Sequence, residues 1–245
     1  MEETSIHYFD IHAEEWRPAT SWPPAQDSMR FYPAADNSLA EAPIGQRTDS
    51  YQADFATTTG TQTRYERLGA ASITDCYPDW TSRSASMLTY ETKSLPRAMS
   101  IVGHPVAALR VSINEGGASI FVYLSEVDAN GRVHYITEGM LRAIHRKTAA
   151  APDDYVTPWP FRSYRRADAS PIEKGLATDY VISPLPVAWT LAEGSKLRLS
   201  ISGADAGHFA PMPYGRPPLF LIHLSAGASS IDIPVRLSEA EHQID

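Results

Sequence analysis

Disulfide bonds, membrane spans and a secretory leader are the first features that this sequence lacks. One cysteine, Cys76, occurs among 245 residues, and a single cysteine excludes an intramolecular disulfide. No apolar run is long enough to cross a bilayer, and the first residues, M-E-E-T-S-I-H, are acidic and without an apolar signal core. These absences favour a cytoplasmic location and predict no membrane partner.

Catalytic and metal-binding motifs are also missing. The G-x-S-x-G pentapeptide that places a nucleophilic serine on a strand-to-helix turn does not occur, and the nearest run, 116–119, is an ordinary loop. His7 and His12 lack the spacing of two ligands on one helical face, and a hairpin turn explains Asp128, Asn130 and Gly131 without calcium. We therefore predict no catalytic residue, no metal and no cofactor.

Positive charge is scarce, with 21 lysines and arginines against 29 acidic residues and a net charge of -8. Nucleic-acid binding needs clustered basic residues, so nucleic acid is excluded as a partner. One small basic group remains, Arg162, Arg165 and Arg166. It is either a solvated loop or a contact for an anion or another domain.

The residues that are present indicate an all-β fold. Nineteen prolines and fourteen glycines suit short strands and frequent turns. Apolar residues alternate with polar ones, and this pattern predicts strands at 86–91, 99–103, 106–113, 120–127, 133–137, 140–145, 180–183, 196–202, 220–223 and 231–235. We expect a jelly-roll β-sandwich. Its interior should contain Leu109, Val111, Val122, Leu124, Leu197, Leu199 and Ile201.

The spacing of these strands predicts a single domain over residues 1–245 with two long loops. Residues 1–25 form an ordered amino-terminal segment, and residues 40–80 and 148–176 are excursions with little periodicity. Loops of this length usually serve a function or dock on something. Their aromatic residues either bind a sugar or a protein or plug the space beneath the loops; they are Tyr65, Tyr77, Trp80, Trp159, Phe161 and Tyr164.

Several short motifs, in a fixed order, resemble one hydrolase family. They are E-W-R at 15–17, W-P-P at 22–24, D-S-Y at 49–51, L-T-Y-E at 88–91 followed by L-P at 95–96, the segment 128–142, and the segment 189–202. Together they resemble the carboxy-terminal domain of the cocaine esterase and X-prolyl dipeptidyl-peptidase family of serine hydrolases, called CocE/NonD. In that family a galactose-binding-like sandwich follows an α/β-hydrolase domain.

The resemblance implies a division of labour. The catalytic triad would lie in an α/β-hydrolase domain of the same protein or a separate subunit, which would be an esterase or a dipeptidyl-peptidase. This chain would brace that domain, wall one side of its substrate cleft and could also carry a homodimer contact. Arg64 and Tyr65 correspond to cleft-lining positions, although residues 57–63 lack the family's usual apolar side chains. Contacts with the hydrolase domain would come from Trp16, Tyr77, His208 and Phe209.

A free-standing carbohydrate-binding or adhesion module is the alternative, because a sandwich fold does not by itself fix a function. The motifs around Trp16 and Trp22 discriminate between the two. They match a junction that follows a hydrolase domain, which a free-standing module has no reason to keep.

Overall fold

The computed structural model describes residues 6–24, 27–60, 63–65 and 80–236 as an all-β sandwich, which confirms the predicted fold class. The strands are β1 (Ile6–Asp10), β2 (Glu15–Ala19), β3 (Asp27–Ala34), β4 (Ser38–Ala40), β5 (Thr48–Gln52), β6 (Leu88–Glu91), β7 (Met99–Gly103), β8 (Val106–Ile113), β9 (Ser119–Val127), β10 (Val133–Arg142), β11 (Thr178–Ile182), β12 (Val187–Leu191), β13 (Lys196–Ser202), β14 (Leu219–His223) and β15 (Ser230–Arg236). Short 3-10 turns occupy Ala35–Asn37, Arg83–Ser86, Ala143–His145, Arg166–Asp168 and Ser225–Gly227. Within the described ranges, no helix is long and apolar enough to span a membrane.

Two layers of strands face each other. One layer has the order β10-β9-β13-β6-β4, and the other contains β5-β14-β8-β15-β3, with β11 added beside β8 and β7 and β12 added beside β15. Strand β3 connects the layers, since its first half pairs with β15 and its second half with β4. The hairpin β1–β2 forms a separate two-stranded sheet.

The main hydrophobic core lies between the two layers. All seven residues that the alternation assigned to the interior belong to it, and each is almost completely buried, which confirms the assignment. A second, smaller cluster covers the outer face of the β9–β10 layer, where Trp80 packs on Tyr123 with 5.2 Å between ring centroids. Trp80 is therefore a plug beneath a loop rather than an exposed recognition residue.

One expectation was wrong in the hairpin that follows β9. Residues 133–137 and 140–145 were expected to form two strands, but β10 is one strand and ends in the turn Ala143–His145. The register shifts between Tyr135 and Thr137, so a β-bulge lets the strand continue with its side chains redirected.

Strands β5 and β12 are two of the strands that the alternation did not predict. Strand β5 lies in the 40–80 excursion, and its buried positions are Asp49 and Tyr51. Because an aspartate occupies one of the buried positions, the strand lacks the usual alternation of apolar and polar residues. The buried carboxylate of Asp49 is tolerated because Tyr90 donates a 2.9 Å hydrogen bond to it and Arg47 forms an ion pair with it. Strand β12 is buried on both faces, so it has no alternation to detect.

The free edge of β10 is covered by the connection between β11 and β12. The Leu185 amide donates to the Glu138 carbonyl at 3.0 Å, and the Thr137 hydroxyl donates to the Leu185 carbonyl at 2.8 Å. Gly139 allows this approach, because a Cβ there would lie 2.7 Å from the Ser183 carbonyl oxygen. Covered edges protect a sheet against pairing with other chains.

Candidate functional site

Four of the residues predicted for the site come together on the outer face of the β9–β10 layer. The ring of Tyr65 lies 5.0 Å from that of His208 and 5.2 Å from that of Phe209, and Phe209 in turn packs on Phe121 at 5.1 Å. Arg64 places its guanidinium carbon 4.6 Å from the Tyr65 ring centroid. Arg64, Tyr65, His208, Phe209 and Glu138 are called the Arg64 cluster below.

Glu138 anchors the cluster from below. The bulge in β10 shifts the register by one residue, so Glu138 lies opposite Tyr123 on the outer face. Its side chain is 1% exposed, and the Arg64 Nε donates a 2.6 Å hydrogen bond to it. The Arg64 Nη2 also donates to the Tyr65 hydroxyl at 2.8 Å. Arg64 is thereby held in one orientation at the surface.

The buried carboxylate changes the acid–base behaviour of its neighbours. Burial alone would lower the pKa of the Arg64 guanidinium, but the hydrogen bond and charge of Glu138 raise it overall. Burial raises the pKa of Tyr65, and Glu138 raises it further. At neutral pH the cluster therefore presents a fixed cation beside a neutral phenol.

A second carboxylate fixes the loop that carries His208 and Phe209. Asp205 is buried and accepts hydrogen bonds from the Thr59 amide at 2.8 Å and the Thr59 hydroxyl at 2.7 Å. The His208 Nε2 lies 2.8 Å from the Gly60 carbonyl oxygen. These contacts join the 203–209 loop to the first excursion, so His208 and Phe209 support Tyr65.

Trp16 lies elsewhere, on the hairpin β1–β2, and is 69% exposed. Asp10 fixes this hairpin to β12, because its buried carboxylate accepts hydrogen bonds from the Thr190 amide at 3.2 Å and the Thr190 hydroxyl at 2.6 Å. His12 contacts buried Glu126 at 3.0 Å. Tyr77, the remaining predicted contact residue, lies outside the described residues.

Sequence reasoning missed the two carboxylates that organise the site, Glu138 and Asp205. Both residues are acidic and lie within or beside a predicted strand. The simplest interpretation of an acidic residue at such a position is an exposed side chain. The signal that could have identified Glu138 is its position after a change in the alternation of 133–142. Only the three-dimensional contacts show which cation it holds.

The described residues contain no serine, histidine and carboxylate arranged as a catalytic triad. One serine–histidine contact is present there, from the Ser112 hydroxyl to the His223 Nε2 at 2.9 Å, but Ser112 is buried and the other ring nitrogen faces Thr48 rather than a carboxylate. In the same ranges, no group of three or more histidine, cysteine, aspartate or glutamate side chains could hold a metal ion.

Comparison with known proteins shows that the chain is similar to part of larger proteins named as serine esterases and hydrolases. Residues 1–219 match the family described as the X-Pro dipeptidyl-peptidase C-terminal non-catalytic domain. Over 235 residues the chain is 35% identical to "Putative serine esterase Mb1866c" of Mycobacterium bovis, covering 95% of this chain and 37% of that protein. The chain thus spans little more than a third of the length of this curated relative.

Solved structures show the same fold at low identity. An aminopeptidase from a marine sediment Thaumarchaeota archaeon superposes with a TM-score of 0.74 and 18% identity over 96% of this chain and 41% of that one. A CocE/NonD family hydrolase from Staphylococcus aureus superposes with a TM-score of 0.68 and 14% identity over 94% and 41%. In both, the similar part is less than half of the longer chain.

Proposed function

This chain belongs to the family of X-Pro dipeptidyl-peptidase C-terminal non-catalytic domains, and on that premise we propose that it folds as one domain that braces an α/β-hydrolase domain and walls part of its cleft. The observation that carries the proposal is the exposed tryptophan on a rigidly fixed hairpin. Trp16 belongs to none of the hydrophobic clusters of the described residues, and large exposed aromatic residues are typical of contact surfaces.

The hairpin offers more than one apolar side chain. Phe9 lies 5.4 Å from Trp16 between ring centroids, and Ile11 beside them is also exposed. Interfaces between domains of one protein bury roughly 600–1,500 Å², and aromatic anchors contribute much of their energy. Because Asp10 and His12 fix the hairpin to the sandwich, Trp16 would meet its partner with little loss of conformational entropy.

The Arg64 cluster is the proposed wall of the cleft. Both surfaces contact β10, but on opposite faces of the strand. His12 of the hairpin stacks with His134, which pairs with Glu126 on the core face, whereas Arg64 binds Glu138 on the outer face. The two strand positions are four residues, or about 13 Å, apart at 3.3 Å per residue. A hydrolase domain that contacts both would have to extend around this strand, with Trp16 as anchor and Arg64 and Tyr65 at the cleft.

The partner domain would supply the chemistry. We propose an esterase or dipeptidyl-peptidase with its serine, histidine and acidic residue in the α/β-hydrolase domain, in the same polypeptide or a separate subunit. The curated relative is itself named as a "Putative serine esterase", and this chain covers 37% of it. A homodimer contact is an additional role that the sandwich could carry.

Oxidative footprinting tests the proposed contact. Trp16 should be oxidised by hydroxyl radicals in this chain alone and protected in the full-length protein. Tyr214, which is 93% exposed, is the internal control and should react equally in both. Equal oxidation of Trp16 in the two proteins would show that the hairpin does not face the hydrolase domain.

A further inference from the structure

A positively charged segment stands apart in this acidic protein. Residues 142–168 contain six arginines and lysines and three aspartates, whereas the whole chain has a net charge of -8. The segment folds back on itself, because the Ala149 amide donates to the Phe161 carbonyl at 3.0 Å. Basic residues from its two ends therefore share one region, which is called the basic loop below.

Arg162 is the anomalous residue of the basic loop. It is 8% exposed, its Nη2 donates a 2.7 Å hydrogen bond to the Val181 carbonyl, and its Nε is enclosed without a partner. No carboxylate of the described residues forms an ion pair with it. Burial lowers the pKa of this guanidinium, because taking a charge out of water without an opposite charge is unfavourable. A buried cation of this kind lacks its counter-charge.

The carboxylates of the basic loop do not neutralise the charge of Arg162. Asp168 accepts a 2.7 Å hydrogen bond from the Lys147 ammonium and a 2.6 Å hydrogen bond from the Ser163 hydroxyl. Asp153 and Asp154 are exposed and form no ion pair with Arg162. The positive charge of Arg162 is therefore not compensated within the described part of the chain.

Tyr164 provides a second, independent observation. Its φ is +53°, in the left-handed region that a bulky residue adopts at a cost, and it is 61% exposed. Its ring lies 5.6 Å from that of His145, edge to face, and Tyr164 raises the pKa of the Arg162 guanidinium, against the effect of burial. Strained residues of this type concentrate at ligand sites, because the strain persists only where the surroundings enforce it.

We propose that Arg162 and Tyr164 form a binding site for an oxyanion, either a carboxylate or a phosphate group. The Nη1 of Arg162 forms no hydrogen bond within the described residues and, unlike Nε, is not fully enclosed, so it is available to a ligand. A guanidinium whose other nitrogens are fixed by packing loses little entropy on binding, and the Tyr164 hydroxyl supplies a neighbouring donor. Arg165 and Arg166, both exposed, raise the local positive potential that attracts an anion.

Calorimetric titration with sodium phosphate and with sodium acetate, at constant ionic strength set by sodium chloride, tests the site. The chain should bind at least one of the two saturably with one site. Arg162→Gln should weaken the binding by at least about tenfold, the loss expected for a charge-assisted hydrogen bond. Tyr164→Phe should weaken it by a few fold. Arg110→Gln is the matched control, since Arg110 is exposed and paired with Asp179 at 3.1 Å, and it should bind as the unaltered chain does.

Should Arg162→Gln fail to fold, the double variant Arg165→Gln with Arg166→Gln tests the same site by lowering both the affinity and its dependence on salt. Titration with a short aspartate-rich peptide is the third arm of the experiment, beside the titrations with phosphate and with acetate. Binding of the peptide alone identifies a protein carboxylate as the ligand, and binding of phosphate or acetate identifies a free anion. Absence of saturable binding in all three arms overturns the proposal, as does binding that Tyr164→Phe and the arginine variants leave unchanged.

Discussion

Replacing Gly139 by alanine tests how the edge of β10 is closed. A Cβ at this position would lie 2.7 Å from both the Ser183 carbonyl oxygen and the Pro184 nitrogen. Both are backbone atoms, so they cannot yield by a change of rotamer. The segment 183–185 would have to move away from β10 and would lose the hydrogen bond from the Leu185 amide to the Glu138 carbonyl.

The expected loss follows from three contributions. Overpacking costs about 1–3 kcal/mol, and the weakened backbone hydrogen bond adds about 0.5–1.5 kcal/mol. The lower entropy of the unfolded alanine chain returns about 0.4–1 kcal/mol. We expect Gly139→Ala to reduce the free energy of unfolding by about 2 kcal/mol, within the range of about 0.5–4 kcal/mol that the three contributions allow, and to lower Tm by roughly 4–8 °C for a chain of this size.

Reversible urea denaturation, followed by tryptophan fluorescence, measures this loss. Gly116→Ala is the matched control, because a Cβ there would have its nearest neighbour at 3.9 Å and the backbone is not left-handed. It should leave the free energy of unfolding unchanged or slightly raised. A loss below about 0.5 kcal/mol in Gly139→Ala, the range of substitutions without structural consequence, would refute the close approach of the 183–185 segment to β10.

Three other perturbations follow from the same structure. Leu199→Ala, in the completely buried centre of β13, should cost about 2–5 kcal/mol in the same urea assay, and a cost under about 1 kcal/mol would mean that its face is misassigned. Arg64→Ala leaves the buried Glu138 carboxylate without its cation and should cost about 3 kcal/mol, of which the double variant with Glu138→Gln should recover a large part; an additive loss would argue against the pair. Burial raises the pKa of Glu91, but hydrogen bonds from Arg198 and Lys196 lower it by more, so the pKa in the folded state lies below the usual 4.5. The ionised Glu91 therefore stabilises the fold above pH 4.5, and this stabilisation is lost as the pH falls through the lower folded-state pKa. The stability gap between the unaltered chain and Glu91→Gln should therefore narrow below pH 4.5, and a gap that widens there would contradict this assignment.

The parts of the fold that depend on alternation could be predicted from the sequence. Leu109 and Val111 in β8, and Leu197 and Leu199 in β13, point inward because every second residue of a half-buried strand faces the core. The hairpin turn was predictable as well, since Asp128 accepts hydrogen bonds from the Asn130 and Arg132 amides and Gly131 has a φ of +85°.

The parts of the fold and of the site that depend on contacts between distant residues could not be predicted from the sequence. Asp49 interrupts the apolar pattern of β5, and its burial is tolerated partly because Tyr90, 41 residues further along the chain, donates a hydrogen bond to it. Arg64 and Tyr65 were chosen by resemblance, and the structure adds what holds them. Glu138 lies 74 residues further along the chain and faces them only because of the bulge in β10. The predicted role of these residues at a cleft stays a prediction.

The most direct test of the non-catalytic role is hydrolysis by this chain alone. Purified chain should hydrolyse neither p-nitrophenyl esters nor X-Pro p-nitroanilides above the uncatalysed rate, and a serine-directed phosphonate should leave it unlabelled, because the described residues contain no exposed serine paired with a histidine and a carboxylate. The full-length protein should be active and should be labelled once per polypeptide. Turnover by the isolated chain that one equivalent of the phosphonate abolishes would contradict the account.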